Sequence, residues 1–171
     1  MLTRLAEALT AKGIETEQCQ DVAGADVPSA RGGYGVVAFG RSVKAADRER
    51  LRKEFAQTDP DVVFVDGYAP IVPLLVAQFE QALDRRPLGR RVIVDAAVRG
   101  GIVDVELRSP CRLRIVSYRP VAFHRMQVRT VFDQDVVTGA HSAALGARTA
   151  RSHNAFVVIR AAEETIALPV G

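Results

Sequence analysis

The apolar positions in the first half of the chain predict helices that alternate with buried strands. In residues 2–9 they recur every three or four positions, as on one face of a helix, and Gly13 ends that helix. A partial alternation at 14–22 indicates an edge strand. Continuous apolar runs at 34–39 and 61–67 are typical of strands buried on both faces, and helical patterns follow them at 45–57 and 71–85. This order predicts a parallel sheet covered on both sides.

Beyond residue 90 the pattern changes to an alternation of apolar and polar positions, which is typical of strands with one buried face. Leu113 and Ile115, for example, alternate with Arg112 and Arg114. The predicted strands lie within residues 91–101, 102–109, 111–120, 123–133, 136–145, 154–161 and 164–170, with turn signals at 100–101, 109–110, 119–120, 133–135 and 161–164. No helix of useful length is predicted here, so we expect a small antiparallel sandwich of about seven strands.

The change of period divides the chain into two predicted domains, residues 1–89 and 90–171. A length of 171 residues, of which 48% are hydrophobic, suits two small domains with real cores. The longest apolar run, residues 71–77, is far shorter than the roughly 20 residues that span a bilayer. No signal-peptide pattern lies near Met1. We therefore expect a cytoplasmic protein with no membrane partner.

The net charge of +3 and the pI near 9.2 change this picture little. Basic residues are spread along the chain and mostly interleaved with acidic ones, so no nucleic-acid partner is expected. The segment 48–55 is interpreted as a solvated helix face of mixed charge. The densest basic stretch, residues 84–91, lies at the predicted domain junction, and exposed linker charge is favoured there over phosphate binding.

The segment 36–71 resembles the middle of a short-chain dehydrogenase or a related Rossmann protein. The features that carry the resemblance are Gly40, Asp47, Leu51, the strand at 61–64 and Gly67. It extends over roughly residues 1–85 and implies an α/β domain with a dinucleotide site at the carboxyl ends of its strands. The predicted fold class is therefore α/β plus all-β, an incomplete Rossmann-like parallel sheet followed by a small antiparallel β-sandwich.

Two motifs of that family are missing from this sequence. The first strand and its glycine-rich turn, which hold the pyrophosphate, would lie before Met1. The family also uses a tyrosine with a lysine four residues later, whereas Tyr34, Tyr68 and Tyr118 are followed at that spacing by Ala38, Val72 and Ala122. Classical NAD(P)-dependent dehydrogenase activity is therefore not expected. No cofactor is expected either, although NAD(P) is the one that the resemblance would imply.

Residues 102–170 resemble the Ig-like sandwich of the flagellar hook-capping protein, which is also a C-terminal module of many bacterial secreted proteins. The resemblance rests on CRLRIVSYR at 111–119, VTGAH at 137–141 and NAFVVIRAAEETIALPV at 154–170. The family places a glycine and an aromatic residue before its penultimate strand, where this chain has Asn154, Ala155 and Phe156. Such modules pack against or bind other proteins and carry no chemistry of their own.

The strongest candidate for a ligand site is the crevice beyond the carboxyl ends of the predicted parallel strands. The candidate ligand-binding residues there are Gly40, Arg41, Ser42, Asp66, Gly67 and Tyr68. Two alternatives stay open. Asp66 could instead cap the helix that begins near Pro70, and Tyr68 could either stack on a ligand or fill a contact between the domains.

Other reactive residues do not form a recognisable site in the sequence. His124, His141 and His153 have no ligand spacing and are interpreted as turn or surface residues, so no metal is expected. No serine lies in a G-x-S-x-G motif. Cys19 and Cys111 show neither metal nor redox spacing and are expected to stay reduced.

Two functional hypotheses follow. The leading one is a degenerate Rossmann-like protein with a β-sandwich module, acting as a non-catalytic binding, accessory or structural protein. The alternative is an atypical reductase-like or cyclase-like enzyme with a ligand crevice around Asp66. A missing central strand would leave an open sheet edge, which fits either a truncated gene product or a sheet completed by a second copy. We expect self-association as a homodimer or binding to another protein, and a small-molecule ligand is compatible with the crevice.

Overall fold

The computed structural model describes residues 2–19, 33–40, 42–67, 71–121 and 125–170. It contains helices and several antiparallel strand pairs, and it divides into two compact units, residues 1–83 and 84–171. The sequence pattern places the boundary after residue 89. Residues 84–91 belong to the second unit, and Arg86 among them bonds to its last hairpin, as described below.

The described part of the first unit contains three helices and one pair of parallel strands. Its elements are α1 (Leu2–Thr10), β1 (Val36–Phe39), α2 (Ala45–Thr58), β2 (Val63–Asp66) and α3 (Val72–Leu83). The helices confirm the three helical patterns, and Gly13, at a φ of +75°, follows α1 as expected of a residue that ends a helix. The strands pair in parallel from Val36 opposite Val63 to Phe39 opposite Asp66.

Two sequence expectations for this unit are wrong. Residues 14–19, the described part of the predicted edge strand, form no strand, while residues 20–22 lie outside the described residues. The strands at 34–39 and 61–67 are shorter than predicted and are not buried on both faces, since Ala38 and Asp66 are exposed. Because each strand has a single strand neighbour among the described residues, its side chains are only partly covered.

Helix α3 contributes half of the buried residues described in the first unit. Residues 74–78 of this helix are all buried. The other elements contribute the buried residues Leu9, Phe39, Leu51, Val62 and Val65. An ion pair of 2.5 Å between Lys12 and Glu80 links the end of α1 to α3.

In the second unit, the residues that the structure describes form seven strands in two antiparallel sheets, which confirms the seven predicted strands. The strands are β3 (Ile93–Arg99), β4 (Ile102–Leu107), β5 (Cys111–Pro120), β6 (Met126–Val136), β7 (Gly139–Ala144), β8 (Phe156–Ala161) and β9 (Glu164–Pro169). One sheet has the order β3-β4-β7 and the other the order β6-β5-β8-β9. The described helical segments are a 3-10 turn (Leu88–Arg90) and the four-residue helix α4 (Ala147–Ala150).

Both sheets contribute to one hydrophobic core. Val103 and Leu107 come from the three-stranded sheet, and Leu113, Val157 and Ile159 come from the four-stranded one. Along β5 the predicted alternation holds from residue 112 to residue 115. It then breaks at a register shift between Ile115 and Val116, beyond which residues 116–118 are all buried.

Two predicted turns of this unit lie inside strands. Pro120 is the last residue of β5, and Asp133 and Asp135 lie within β6, which continues to Val136. The aspartates fit in a strand because they face arginines of β5. Arg112 Nε donates to Asp133 at 2.8 Å, and Arg114 lies 3.7 Å from the same carboxylate.

A buried carboxylate joins the start of β3 to the start of β9. The Glu164 side chain is only 3% exposed and accepts hydrogen bonds from the backbone N–H groups of Val92, at 2.6 Å, and Ile93, at 2.8 Å. Arg86 reaches the same hairpin, since its Nη2 donates to the Glu163 carbonyl at 3.1 Å. Residues 84–93 are thereby tied to the second unit.

The basic stretch 84–91 is therefore partly structural. Arg86 Nε donates to Asp84 at 2.9 Å, and this hydrogen bond is the main cause that lowers the pKa of Asp84 and raises the pKa of Arg86. Arg91 donates to the carbonyls of Arg86 and Asp84. Within the described ranges, no helix is both long and apolar enough to cross a membrane.

Candidate functional site

Four of the six predicted site residues are described, and they lie at the carboxyl ends of β1 and β2. Gly40 follows β1 and Asp66 ends β2, and the Gly67 N–H donates to the carbonyl of Phe39 at 3.3 Å. Ser42 lies in the turn after Gly40, closed by a 3.1 Å hydrogen bond from the Val43 N–H to the Gly40 carbonyl. The parallel pairing thus brings Gly40, Ser42, Asp66 and Gly67 together. Arg41 and Tyr68 lie outside the described residues.

Two arginines of α2 bind the Asp66 carboxylate. Arg52 Nη2 donates to Oδ2 at 2.6 Å, and Arg48 Nη1 lies 3.5 Å from Oδ1. The aspartate is half exposed and the arginines are about a third exposed, so solvent screens both pairs. We call Asp66, Arg48 and Arg52 the Asp66 cluster.

Arg48 also holds the turn that follows β1. Its Nη2 donates to the Gly40 carbonyl at 3.3 Å, and its Nε donates to the Val43 carbonyl at 3.0 Å. All three nitrogens of this guanidinium group therefore bind groups of the chain itself. The loop that contains Ser42 is fastened to α2 by a single side chain.

Arg52 is positioned by aromatic rings as well as by Asp66. The rings of Phe39 and Phe64 stack nearly parallel, with centroids 6.0 Å apart, and the Arg52 guanidinium carbon lies 5.7 Å from each centroid. Guanidinium groups over aromatic faces gain cation–π attraction. Arg52 Nε is buried and has no hydrogen-bond partner among the described residues, so the rings and Asp66 are what hold this side chain.

Backbone packing at Gly67 leaves little room beside the aspartate. A Cβ added there would lie 3.1 Å from Cδ2 of Leu75 and 3.6 Å from the Phe39 carbonyl oxygen. The Asp66 carbonyl in turn lies 3.4 Å from Nε2 of the buried Gln78, which donates to it. A glycine at position 67 therefore lets α3 approach the end of β2 closely.

The sequence interpretation missed Arg48 and Arg52, which it placed on a solvated helix face. The spacing of these arginines along the sequence does indicate that they face the sheet. Leu51 and Phe55 are the inward residues of α2, and Arg48 and Arg52 each lie three positions before one of them, on the same side of the helix. Charged residues at that spacing can face the ends of the strands on which α2 packs.

The chemistry open to the Asp66 cluster is limited by these contacts. A carboxylate that accepts from two arginines is held in one orientation, and a ligand that used it as a base would have to displace a guanidinium group. Two cations against one anion leave one net positive charge, so the cluster is better suited to an anionic ligand than to a cationic one.

The remaining candidate residues do not join this site. His141 Nε2 lies 2.7 Å from the Val137 carbonyl in the second unit, His153 is exposed there, and His124 lies outside the described residues. Among the residues that the structure describes, no group of three or more His, Cys, Asp or Glu side chains is arranged to hold a metal ion. Cys111 is half-buried, and this burial raises the pKa of its thiol.

Comparison of the chain with models of protein families, with curated proteins and with solved structures found no match. Any function has to be argued from the residues of this chain and their geometry.

Proposed function

We propose that this protein is a non-catalytic binding or accessory protein, built from a degenerate Rossmann-like unit and an Ig-like β-sandwich unit. The observation that carries the proposal is the Asp66 cluster. At the place where a doubly wound domain would receive its ligand, the carboxylate of Asp66 and the carbonyl of Gly40 are both bound by arginines of the same chain.

The sequence supports the same proposal independently. No tyrosine in the chain has a lysine four residues later, so the proton-transfer pair of short-chain dehydrogenases cannot form at that spacing. Neither strand at the proposed site is followed by a glycine-rich turn of the phosphate-binding type. Self-association belongs to the proposal, because β1 and β2 each have one open edge among the described residues. A monomeric mass by light scattering at every concentration would contradict that part.

The test is the thermal stability of the full chain with increasing concentrations of NAD, NADH, NADP and NADPH. A ligand that binds only the folded state raises the melting temperature progressively with ligand concentration, and it adds about 2.7 kcal/mol of stability at a hundredfold excess over its Kd. The proposal predicts no concentration-dependent rise of the melting temperature with any of the four. Such a rise with one of them would show that the site still binds a dinucleotide.

The alternative, an atypical enzyme, draws its support from the net positive charge of the Asp66 cluster and from its position at the strand ends. It predicts that an anionic ligand stabilises the protein and that Asp66→Asn changes this stabilisation. The non-catalytic proposal predicts that Asp66→Asn lowers stability to the same extent with and without the anion, because the side chain acts within the fold. Inorganic phosphate and pyrophosphate are suitable probes, and thermal melting measures both effects.

A further inference from the structure

The net charge of +3 is the sum of a negatively charged first unit and a positively charged second unit. Residues 84–171 contain fourteen arginines, no lysine and eight acidic residues, an excess of six positive charges. Residues 1–83 contain nine basic and twelve acidic residues. The second unit is therefore strongly basic, and all of its basic side chains are arginines, which bind planar oxyanions in a bidentate way.

Several of these arginines are used inside the unit. Arg86 and Arg91 bind Asp84 and nearby carbonyls, and Arg108 donates to the carbonyls of Arg91 and Leu88. The densest basic stretch of the sequence therefore serves the fold. Arg112 and Arg114 are likewise engaged, because both face Asp133.

A different set of arginines meets at the end of the unit that carries α4. The Leu145 N–H donates to the Gly101 carbonyl at 2.8 Å, which joins the end of β7 to the β3–β4 turn. Gly101 also lies against α4, since a Cβ added there would come within 2.6 Å of the Ala150 Cβ. Arg99, at the end of β3, is two residues from Gly101, and Arg148 and Arg151 lie within two residues of Ala150.

Strand β6 reaches the same end. A Cβ added at Gly146, the residue before α4, would lie 3.3 Å from Nη1 of Arg129. Three segments that are far apart in the sequence therefore meet at this end of the unit, and we call the group of exposed arginines on them the arginine end. It consists of Arg99, Arg129, Arg148 and Arg151, all of which are exposed.

The arginine end has few carboxylates to neutralise it. The three segments that form it, residues 97–103, 125–132 and 144–155, contain no aspartate or glutamate. The next acidic residue along β4 is Asp104, which lies opposite Ala97 of β3 and keeps its charge while it accepts a 2.6 Å hydrogen bond from Ser142. Four arginines against this one carboxylate leave an excess of positive charge, which attracts polyanions.

We propose that the arginine end binds the phosphate backbone of a double-stranded nucleic acid without sequence preference. Arginine binds phosphate oxygens bidentately, and four such contacts would release bound counterions. A duplex is favoured over a single strand because the large exposed apolar side chains of the described residues are all aliphatic, and stacking on unpaired bases needs aromatic rings. This proposal replaces the expectation from the sequence that the protein has no nucleic-acid partner. That expectation was based on the spread of the arginines along the chain, whereas the fold brings the segments that carry four of them together.

The proposal names a partner for the binding function proposed above and in that sense rests on it, but it uses only residues of the second unit. The duplex-binding proposal and the proposed function can therefore fail separately. A dinucleotide that binds the first unit would leave the arginine end untouched, and a duplex that fails to bind would leave the dinucleotide result unchanged.

The experiment is an anisotropy titration of a labelled DNA duplex of about 20 base pairs with the full chain, between about 50 and 200 mM salt. Four phosphate contacts predict that log K falls against log salt with a slope of about −3 to −4. Arg148→Ala/Arg151→Ala should make the slope shallower by about 2 and weaken binding at every salt concentration. Arg148→Lys/Arg151→Lys, which keeps the charge, should retain most of the slope.

The matched control is Arg112→Ala/Arg114→Ala, which removes two arginines of the same unit that face Asp133 and should change the slope by less than half as much. Circular dichroism and thermal melting of each variant show that it is folded. No duplex binding at the lowest salt concentration would overturn the proposal, and so would duplex binding that the Arg148 and Arg151 substitutions leave unchanged. Tighter binding of a single strand or of polyglutamate than of the duplex would overturn it as well.

Discussion

At the residue scale, Glu164 is the one buried charged side chain among the described residues. It is almost fully buried, and its two carboxylate oxygens accept from consecutive backbone N–H groups at the start of β3. A buried acceptor that loses its donors costs free energy, and so do donors that lose their acceptor. The alternating pattern at 164–170 predicts a strand there but gives no sign of this role, because the donors lie more than 70 residues earlier.

We therefore expect Glu164→Gln to lower the free energy of unfolding by about 1 to 3 kcal/mol, because the amide can accept at only one of its two ends. The neighbouring Glu163→Gln is the matched control, since that side chain is exposed. Urea unfolding followed by circular dichroism measures both variants. Equal stability of the two variants would show that the hydrogen bonds of Glu164 make no net contribution to the free energy of unfolding.

Asp84 gives the stability a defined dependence on pH. Its hydrogen bond from Arg86 lowers its pKa below the usual value of 3.8, so the folded state favours the carboxylate more than the unfolded state does. This stabilisation is present in full above the unfolded pKa and is lost as the pH falls towards the lower folded value.

Below about pH 4, Asp84→Asn should therefore lose less stability on further acidification than the wild type does. Arg86→Gln should have the same effect, because it removes the main cause of the shift. Urea midpoints from pH 5 down to about pH 3 provide the measurement. A wild-type slope retained in both variants would contradict this assignment.

At the scale of elements, the hydrophobic pattern predicts most of the structure because each element follows one period. Helix α2 and strand β4, for example, match their predicted positions within one or two residues. The pattern predicts a strand less reliably where side chains of a neighbouring strand stabilise it. The aspartates of β6 indicate a turn by composition, yet they pair with Arg112 and Arg114 across the sheet.

Asp133→Asn should lower stability by up to about 1 kcal/mol, because it leaves two arginines of β5 without their shared carboxylate. The effect should shrink in high salt, which screens exposed charges. Asp135→Asn is the control, since that side chain is far more exposed and lies 3.9 Å from Arg112. Urea unfolding at low and at high salt distinguishes the two variants. A loss of stability in Asp133→Asn that does not depend on salt would show that the side chain stabilises the protein by packing and not by its charge.

At the scale of the whole molecule, the sequence predicts two structural regions but not the interactions that join their distant segments. The six candidate residues of the first unit follow from the rule that parallel strands gather their carboxyl ends, and the four that are described do lie together. The arginines that bind Asp66 come from a helix face interpreted as solvated. The arginine end draws on three segments, and only the fold shows their proximity.

We propose that Asp66 serves the fold and not a reaction. A double-mutant cycle of Asp66→Asn and Arg52→Gln, measured by urea unfolding, distinguishes these two roles. We expect Asp66→Asn to destabilise the protein and the cycle to give a favourable coupling of about 0.5 to 1 kcal/mol, above the few tenths expected for the exposed Glu49–Lys53 pair of α2. Residues kept for a ligand or a reaction often reduce stability. A variant Asp66→Asn as stable as the wild type or more stable, with no coupling to Arg52, would contradict the claim.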